Sequence, residues 1–363
     1  MKLDELLQQS TNRLARADVP TPRLDCLVLL EDLTAKNRSW LLAHPEFELG
    51  SSVIGVLSKQ IERRAKHEPL AYIRGKSEFY GREFIVNHHT LQPRPETETM
   101  IDLLKQVVTS HQSPVTRKKQ TTKDKRRETG SQRQKARGER RETAPTPERS
   151  HGLSVAQGVI EKRTDAYTQY VEGASEPTTQ QRAKRASSVS SSADEQASST
   201  MSIVDVGTGS GSIAITAKLI YPEISVVATD IDKKCLETAR QNAKKHNTEI
   251  EFFYGNLLEP LSAIKYQLSN MIIMANLPYV PDSHTINAAA MHEPRHAIFG
   301  GDDGLDYYRQ LFGQINSFHY QPVSVYTESL PTQHALLTEI ASKHGYMPSR
   351  VEDLIVVFVP DSL

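Results

Sequence analysis

The chain has 363 residues, enough for two domains, with 37% apolar residues and a mean hydropathy of −0.50. So low an apolar fraction implies a segment outside any packed core, and no apolar run approaches the ~20 residues of a membrane span. The 44 basic and 44 acidic residues are unevenly spread, because 18 Lys and Arg against 11 Asp and Glu fall between Gln112 and Thr200.

The opening Met1-Lys2-Leu3-Asp4-Glu5 lacks the apolar core of a secretion signal. The two cysteines, Cys26 and Cys235, stand far apart, without the spacing of a metal or redox pair. A soluble, cytoplasmic protein with no membrane partner and no metal is expected.

Residues 1–90 predict a small helical domain that ends in a hairpin. Leu3, Leu6, Leu7 and Leu14 recur at helical spacing. After Pro20 and Pro22, Leu24, Leu27, Val28 and Leu30 mark a second helix; Val53, Val56, Leu57 and Ile61 mark a third, ended before Pro69. Glu78–Val86 reads as two strands turning near Gly81. Residues 91–111 carry Leu91-Gln92-Pro93-Arg94-Pro95-Glu96-Thr97-Glu98 and a helix.

Residues 112–200 read as a disordered, basic and Ser-rich insertion, with a helix conceivable only around Val155–Ala166. Between Arg117 and Arg149 there are 13 basic and five acidic residues and no aromatic. Such a stretch can tether to RNA through phosphate contacts, yet it has no aromatic platform for bases. A solvated insertion is the preferred reading, and nucleic acid is not an expected partner.

From residue 201 to 363 strands alternate with helices. Ile203–Val206, Ser225–Thr229, Ile250–Phe253, Met271–Ala275, Val323–Thr327 and Leu354–Val359 predict strands, and Ile213–Leu219 and Lys233–His246 predict helices. The expected fold is α/β, a mostly parallel sheet covered on both faces, with ligands outside the carboxyl ends of its strands.

Asp205-Val206-Gly207-Thr208-Gly209-Ser210-Gly211 lies between a strand and a helix, where glycines let backbone approach a ligand. Asp230, about 20 residues on, ends the next strand and suits the two hydroxyls of a ribose. No Lys-Ser or Lys-Thr pair follows the glycines, which argues against a phosphate-cradling loop. Asp205 favours a cationic ligand such as S-adenosylmethionine. This order resembles the class I (Rossmann-like) methyltransferases. The resemblance implies that Gly207, Thr208, Gly209, Ser210 and Gly211 line the methionine side, that Asp230 holds the ribose, and that Leu257 borders the adenine. Asn256 stands where those enzymes usually carry an acid.

Asn276-Leu277-Pro278-Tyr279 follows an apolar strand. A planar nitrogen is a poor nucleophile because its lone pair is delocalised; two acceptors aimed at its N–H groups orient it and return electron density. The Asn276 side chain and the Leu277 carbonyl are the candidates. Pro278 restricts Leu277 to extended conformations, and Tyr279 offers a stacking face. Methyltransferases with such a corner act on adenine, cytosine or glutamine nitrogens.

Flanking residues narrow the choice. Glu68-Pro69-Leu70-Ala71-Tyr72-Ile73-Arg74-Gly75, Glu78-Phe79-Tyr80-Gly81, the Pro-Arg-Pro-Glu-Thr-Glu element, and Glu293-Pro294, Gly300-Gly301 and Asp303-Gly304-Leu305 with Tyr308 together resemble the HemK/PrmC family. That resemblance, over roughly residues 1–110 and 201–363, implies N(5)-methylation of the glutamine in the Gly-Gly-Gln loop of peptide chain release factors. It puts Arg94 and Glu96 beside the glutamine pocket; Arg94 equally suits an ion pair joining the two domains. His88, His89, Tyr307 and Tyr308 read as surface or packing residues. Leu277 departs from the family, which usually has Pro there. Two rivals remain: a ribosomal-RNA or DNA adenine N(6)-methyltransferase, and an inactive cofactor-binding ribosome adaptor. Deleting residues 115–198 is expected to leave a folded protein, by circular dichroism and gel filtration; an insoluble product would make the insertion structural.

Overall fold

Leucines at helical spacing build the first part of the chain. A computed structural model describes residues 1–111, 201–263, 270–317 and 321–361, so the insertion predicted at 112–200 lies outside the described residues. Helices α1 (Leu3–Ala15), α2 (Pro22–Thr34), α3 (Arg38–Ala43), α4 (Ser51–Arg64) and α5 (Leu70–Arg74) come first. Leu3, Leu6, Leu7, Leu14, Leu27, Leu57 and Ile61 pack into one buried cluster. Leu24 and Val56, counted among the apolar marks, instead face solvent. The short helices α3 and α5 escaped the sequence reading because two turns or fewer hold too few residues to display a period.

Asp25 and Arg64 form an ion pair at 2.6 Å inside this cluster. Its unused groups are satisfied: the Thr21 hydroxyl donates to Asp25 at 2.7 Å, and Arg64 donates to the Glu68 carbonyl at 3.1 Å.

Strands β1 (Lys76–Phe79) and β2 (Arg82–Ile85) form the antiparallel hairpin, turning at Tyr80-Gly81 with φ of 53° and 68°. Two left-handed residues give the turn the twist that a tight hairpin needs. Phe79 and Phe84 pack with helix α6 (Glu98–His111) and one face of the large sheet. Met1–Val108 and Ser199–Leu363 form one compact unit.

The sheet contains β3 (Ser202–Val206), β4 (Ser225–Asp230), β5 (Glu251–Tyr254), β6 (Met271–Ala275), β7 (Ser324–Glu328), β8 (Tyr346–Glu352) and β9 (Ile355–Pro360), in the order β5-β4-β3-β6-β7-β9-β8. Its first five neighbours are parallel, while β9 runs antiparallel to β7 and β8. Helices α7 (Ser212–Ile220), α8 (Lys233–Lys245), α9 (Glu259–Ala263), α10 (Asp306–Ser317) and α11 (His334–Ser342) connect and cover it. Alternate residues serve opposite faces: Ile203, Ile272 and Met274 join α6 and α7, whereas Val204, Ile273 and Ala275 join α10 and α11. Burial on both faces explains why β3 and β6 read as unbroken apolar runs. Strand β8 was missed, because most of it is exposed at the sheet edge and it contains Pro348. No described helix is long and apolar enough to cross a membrane.

Replacing Asp25 with Ala leaves the Arg64 guanidinium buried and unpaired. Urea denaturation is expected to show a loss of about 3 kcal/mol; a loss below about 1 kcal/mol would mean that water replaces the carboxylate.

Candidate active site

Register brings the site together. Val206 pairs with Thr229 on one side and Ala275 on the other, Thr229 pairs with Phe253, and Ala275 pairs with Thr327. The next residue along each parallel strand therefore belongs to one rank at the carboxyl edge: Tyr254, Asp230, Gly207, Asn276 and Glu328. Strand order reverses between β3 and β6, the place where such sheets bind ligands.

Gly207, Gly209 and Gly211 all have positive φ, 72°, 56° and 81°. Gly211 also has no room for a side chain, since a Cβ would lie 3.0 Å from Ile215 Cδ1 and 3.1 Å from Ala239 Cβ. Asp205 braces the loop from beneath. It is fully buried, and its Oδ2 accepts the Thr208 hydroxyl at 2.6 Å and the Ala214 N–H at 3.1 Å. Burial pushes its carboxyl up to about 7, against those hydrogen bonds. Asp205 thus holds the loop's shape from below. Asn242 of α8 ties the loop to the hairpin, donating to the Ser210 and Ile85 carbonyls and accepting the Ile85 N–H.

A cavity of about 630 Å³ opens over this loop, within the size range of cofactor sites. Gly207, Thr208, Gly209, Ser210, Asp230, Leu257, Asn276, Leu277, Pro278 and Arg94 all line it. Gly211 does not; it caps α7 instead. Ile231, Lys233, Tyr254, His296 and Tyr307 also line the cavity, and none was singled out from sequence as a site residue. Ile231 and Tyr254 are more than half exposed, an apolar pair at the cavity wall. Tyr254 had a legible signal, as it ends the strand beside Asp230. His88 and His89 line neither cavity described here.

Asp230 accepts the Gly209 N–H on Oδ2 and the Asp232 N–H on Oδ1, each at 2.8 Å. Burial raises its carboxyl above the usual range, opposed by those two N–H groups. Each oxygen keeps lone-pair capacity for a further donor. Among the described residues no group of His, Cys, Asp or Glu is arranged to hold a metal ion.

The Asn276 corner is held from behind. Asn276 Nδ2 donates to Thr97 Oγ1 at 3.0 Å, and the Thr97 hydroxyl donates to Glu328 Oε2 at 2.7 Å. The Tyr279 hydroxyl donates to Glu328 Oε1 at 3.0 Å. Tyr308, read from sequence as helix packing, does more. Its buried hydroxyl donates to the Glu328 carbonyl at 2.5 Å and accepts the Leu277 N–H at 3.3 Å and the Glu328 N–H at 3.2 Å. A proline at 277 would lack that N–H. The Leu277 side chain lies against Gly207, where a Cβ would come within 3.1 Å of its Cδ2. The Asn276–Tyr279 corner and the glycine loop are thus in contact.

A second cavity of about 150 Å³ adjoins the corner, lined by Asn276, Leu277, Pro278, Tyr279, Arg94, Glu293 and Glu328 among others. Arg94 reaches both cavities and pairs with the buried Glu293 at 2.6 Å, joining the first part of the chain to the loop after the corner. Burial raises the Glu293 carboxyl, partly offset by Arg94. Glu96 is exposed and lines neither cavity.

Residues 5–75 match the family model described as PrmC N-terminal domain, and residues 190–293 match that described as Methyltransferase small domain. These two stretches of the chain are thus similar to a PrmC N-terminal domain and to a methyltransferase domain. The bifunctional methyltransferase of Rickettsia bellii is 28% identical over 354 residues, covering 95% of this chain and 51% of its own length. This chain therefore spans about half of that relative. The release factor glutamine methyltransferase of Deinococcus radiodurans is 27% identical, covering 86% of this chain and 81% of its own. Among solved structures, the ribosomal protein L11 methylase of Lactobacillus delbrueckii subsp. bulgaricus is 18% identical, with a TM-score of 0.30, over 46% of this chain and 71% of its own.

The glycines after the corner are there for close approach. At Gly304, with φ of 81°, a Cβ would lie 2.1 Å from the Tyr279 carbonyl oxygen, which also accepts Gln333 Nε2 at 2.8 Å. Gly304→Ala is expected to destabilise the protein by about 2 kcal/mol or more, seen as a lowered Tm. An unchanged Tm would mean that this segment is not clamped on the corner.

Proposed function

We propose that the chain transfers a methyl group from S-adenosylmethionine to the side-chain amide nitrogen of the glutamine in the Gly-Gly-Gln loop of a peptide chain release factor. One observation carries this reading. The Asn276 amide stands where the two cavities meet, beside Gly207, with its nitrogen already committed to Thr97. Its oxygen is left as an acceptor for an incoming N–H.

The larger cavity suits the cofactor. Asp230 retains lone pairs for two ribose hydroxyls, and Ile231, Tyr254 and Leu257 offer apolar walls to a purine. Bound there, S-adenosylmethionine would supply a methyl carbon on a sulfonium, open to in-line displacement.

The chain's own residues then act by positioning. Asn276 Oδ1 and the Leu277 carbonyl would accept the two N–H groups of the substrate amide, fix its plane and restore electron density to nitrogen. The Tyr279 ring would cover one face of that plane, held by its bond to Glu328. No dedicated base is required, because the nitrogen becomes acidic as it gains the methyl. The release factor as substrate is supported by the name of the Deinococcus relative and by the PrmC-type N-terminal domain.

The direct test is mass spectrometry of a release factor after incubation with the protein and S-adenosylmethionine, beside ribosomal RNA as competing acceptor. A methyl group on the Gly-Gly-Gln glutamine supports the reading; methylated adenine in the RNA overturns it. Asn276→Ala is expected to lower kcat by about 100-fold or more, while calorimetry finds cofactor affinity within a few-fold. Unchanged turnover would remove Asn276 from the acceptor site.

A further inference from the structure

We propose that Glu328 is a positioning residue of this site, a buried carboxylate that acts through Thr97 and Tyr279 to set which end of the Asn276 amide meets the acceptor. The proposal rests on the reading of Asn276 given above and adds to it the group that orients it. Glu328 stands in the same rank as Asn276, one residue beyond the Ala275–Thr327 pair, and it is fully buried.

An ionised carboxylate only accepts. Thr97 therefore gives its single proton to Oε2, and Tyr279 gives its own to Oε1. With its proton spent, Thr97 Oγ1 can only accept, and it accepts from Asn276 Nδ2 at 3.0 Å. That contact selects the nitrogen end of the Asn276 amide, so the oxygen end faces the cavity. A neutral carboxyl breaks this logic, because it has a proton to place on Thr97 or Tyr279. If Thr97 receives it, the Thr97 hydroxyl is free to donate to Asn276 and turn the amide round. If Tyr279 receives it, the ring loses its anchor. Either way one of the two acceptor-side groups is released.

The groups around Glu328 agree with a titrating role. Thr97 and Glu96 approach from the turn before α6, Asn276 and Tyr279 from the loop after β6, and Tyr308 from α10. They hold its carboxylate by the Thr97 and Tyr279 hydroxyls rather than by a contacting cation, and Glu96 adds like charge. Burial, followed by that repulsion, raises the Glu328 carboxyl above the ordinary range, against the bonds from Thr97 and Tyr279. The ionised form is the active one, so turnover rises with pH through the Glu328 titration, at a pH above that of an ordinary glutamate.

The test measures kcat and KM of the full chain with a release factor and S-adenosylmethionine from about pH 5 to 8, for wild type, Glu328→Gln, Thr97→Val and Asn276→Ala. Gln is isosteric with the neutral carboxyl and cannot accept on both sides. Glu328→Gln is therefore expected to lose about tenfold or more in kcat near neutral pH, with KM for the cofactor within about threefold. Its rate should be flat on the acid side and equal to the low-pH plateau of wild type. Thr97→Val, which keeps the shape and loses both bonds, should show a comparable loss in kcat. Wild-type turnover in Glu328→Gln, or a lowered rate that keeps the acid limb, overturns the proposal. Should Glu328→Gln not fold, wild-type turnover in Thr97→Val overturns it instead. Full activity in Asn276→Ala would sink the underlying reading of the acceptor site, an outcome separate from these.

Discussion

Parallel pairing in strict register is the constraint on which the site depends. β3 lies between β4 and β6, so the residues that leave these strands emerge side by side. Gly207 supplies a turn without a side chain, Asp230 a carboxylate and Asn276 an amide, each one place beyond a hydrogen-bonded row. A slip of one strand would turn its side chains to the opposite face. Apolar side chains packed on both faces make such a slip costly.

Around that edge the chain uses buried polar groups to aim other groups. Asp205 holds the glycine loop through Thr208 and Ala214. Asn242 binds the same loop to the hairpin, which links the glycine loop to the first part of the chain. Tyr308 gathers backbone groups of Leu277 and Glu328 on one hydroxyl. Hydrogen bonds of this kind fix directions as well as distances. The Leu277 N–H is an example: leucine at this position adds a bond to the corner that proline would forgo.

The two cavities share Asn276, Leu277, Pro278 and Arg94. Arg94 makes the inter-segment ion pair with Glu293 at 2.6 Å and still lines both cavities.

Much was legible in the amino-acid sequence because it depended on local pattern. Apolar runs bounded by glycine or polar turns marked β3, β4 and β6, and the glycine loop, Asp230 and Asn276–Tyr279 followed at their ends. Leucine spacing located α1, α2 and α4. What only tertiary structure decided were features without a local signature. β8 is an exposed edge strand, α3 and α5 are too short to show a period, and Gly211 proved to be a helix cap away from the cavity wall. Glu96 drew notice from its motif, whereas Thr97, its neighbour, makes the contact with Asn276. Glu328 ends a strand like any other in the sequence, and it gains its meaning from the parallel neighbour that sets it beside Asn276, 52 residues away in the chain numbering. Chain pattern fixes which residues can sit at the edge of a sheet; strand order alone decides which of them meet, because it brings together residues that no local period connects.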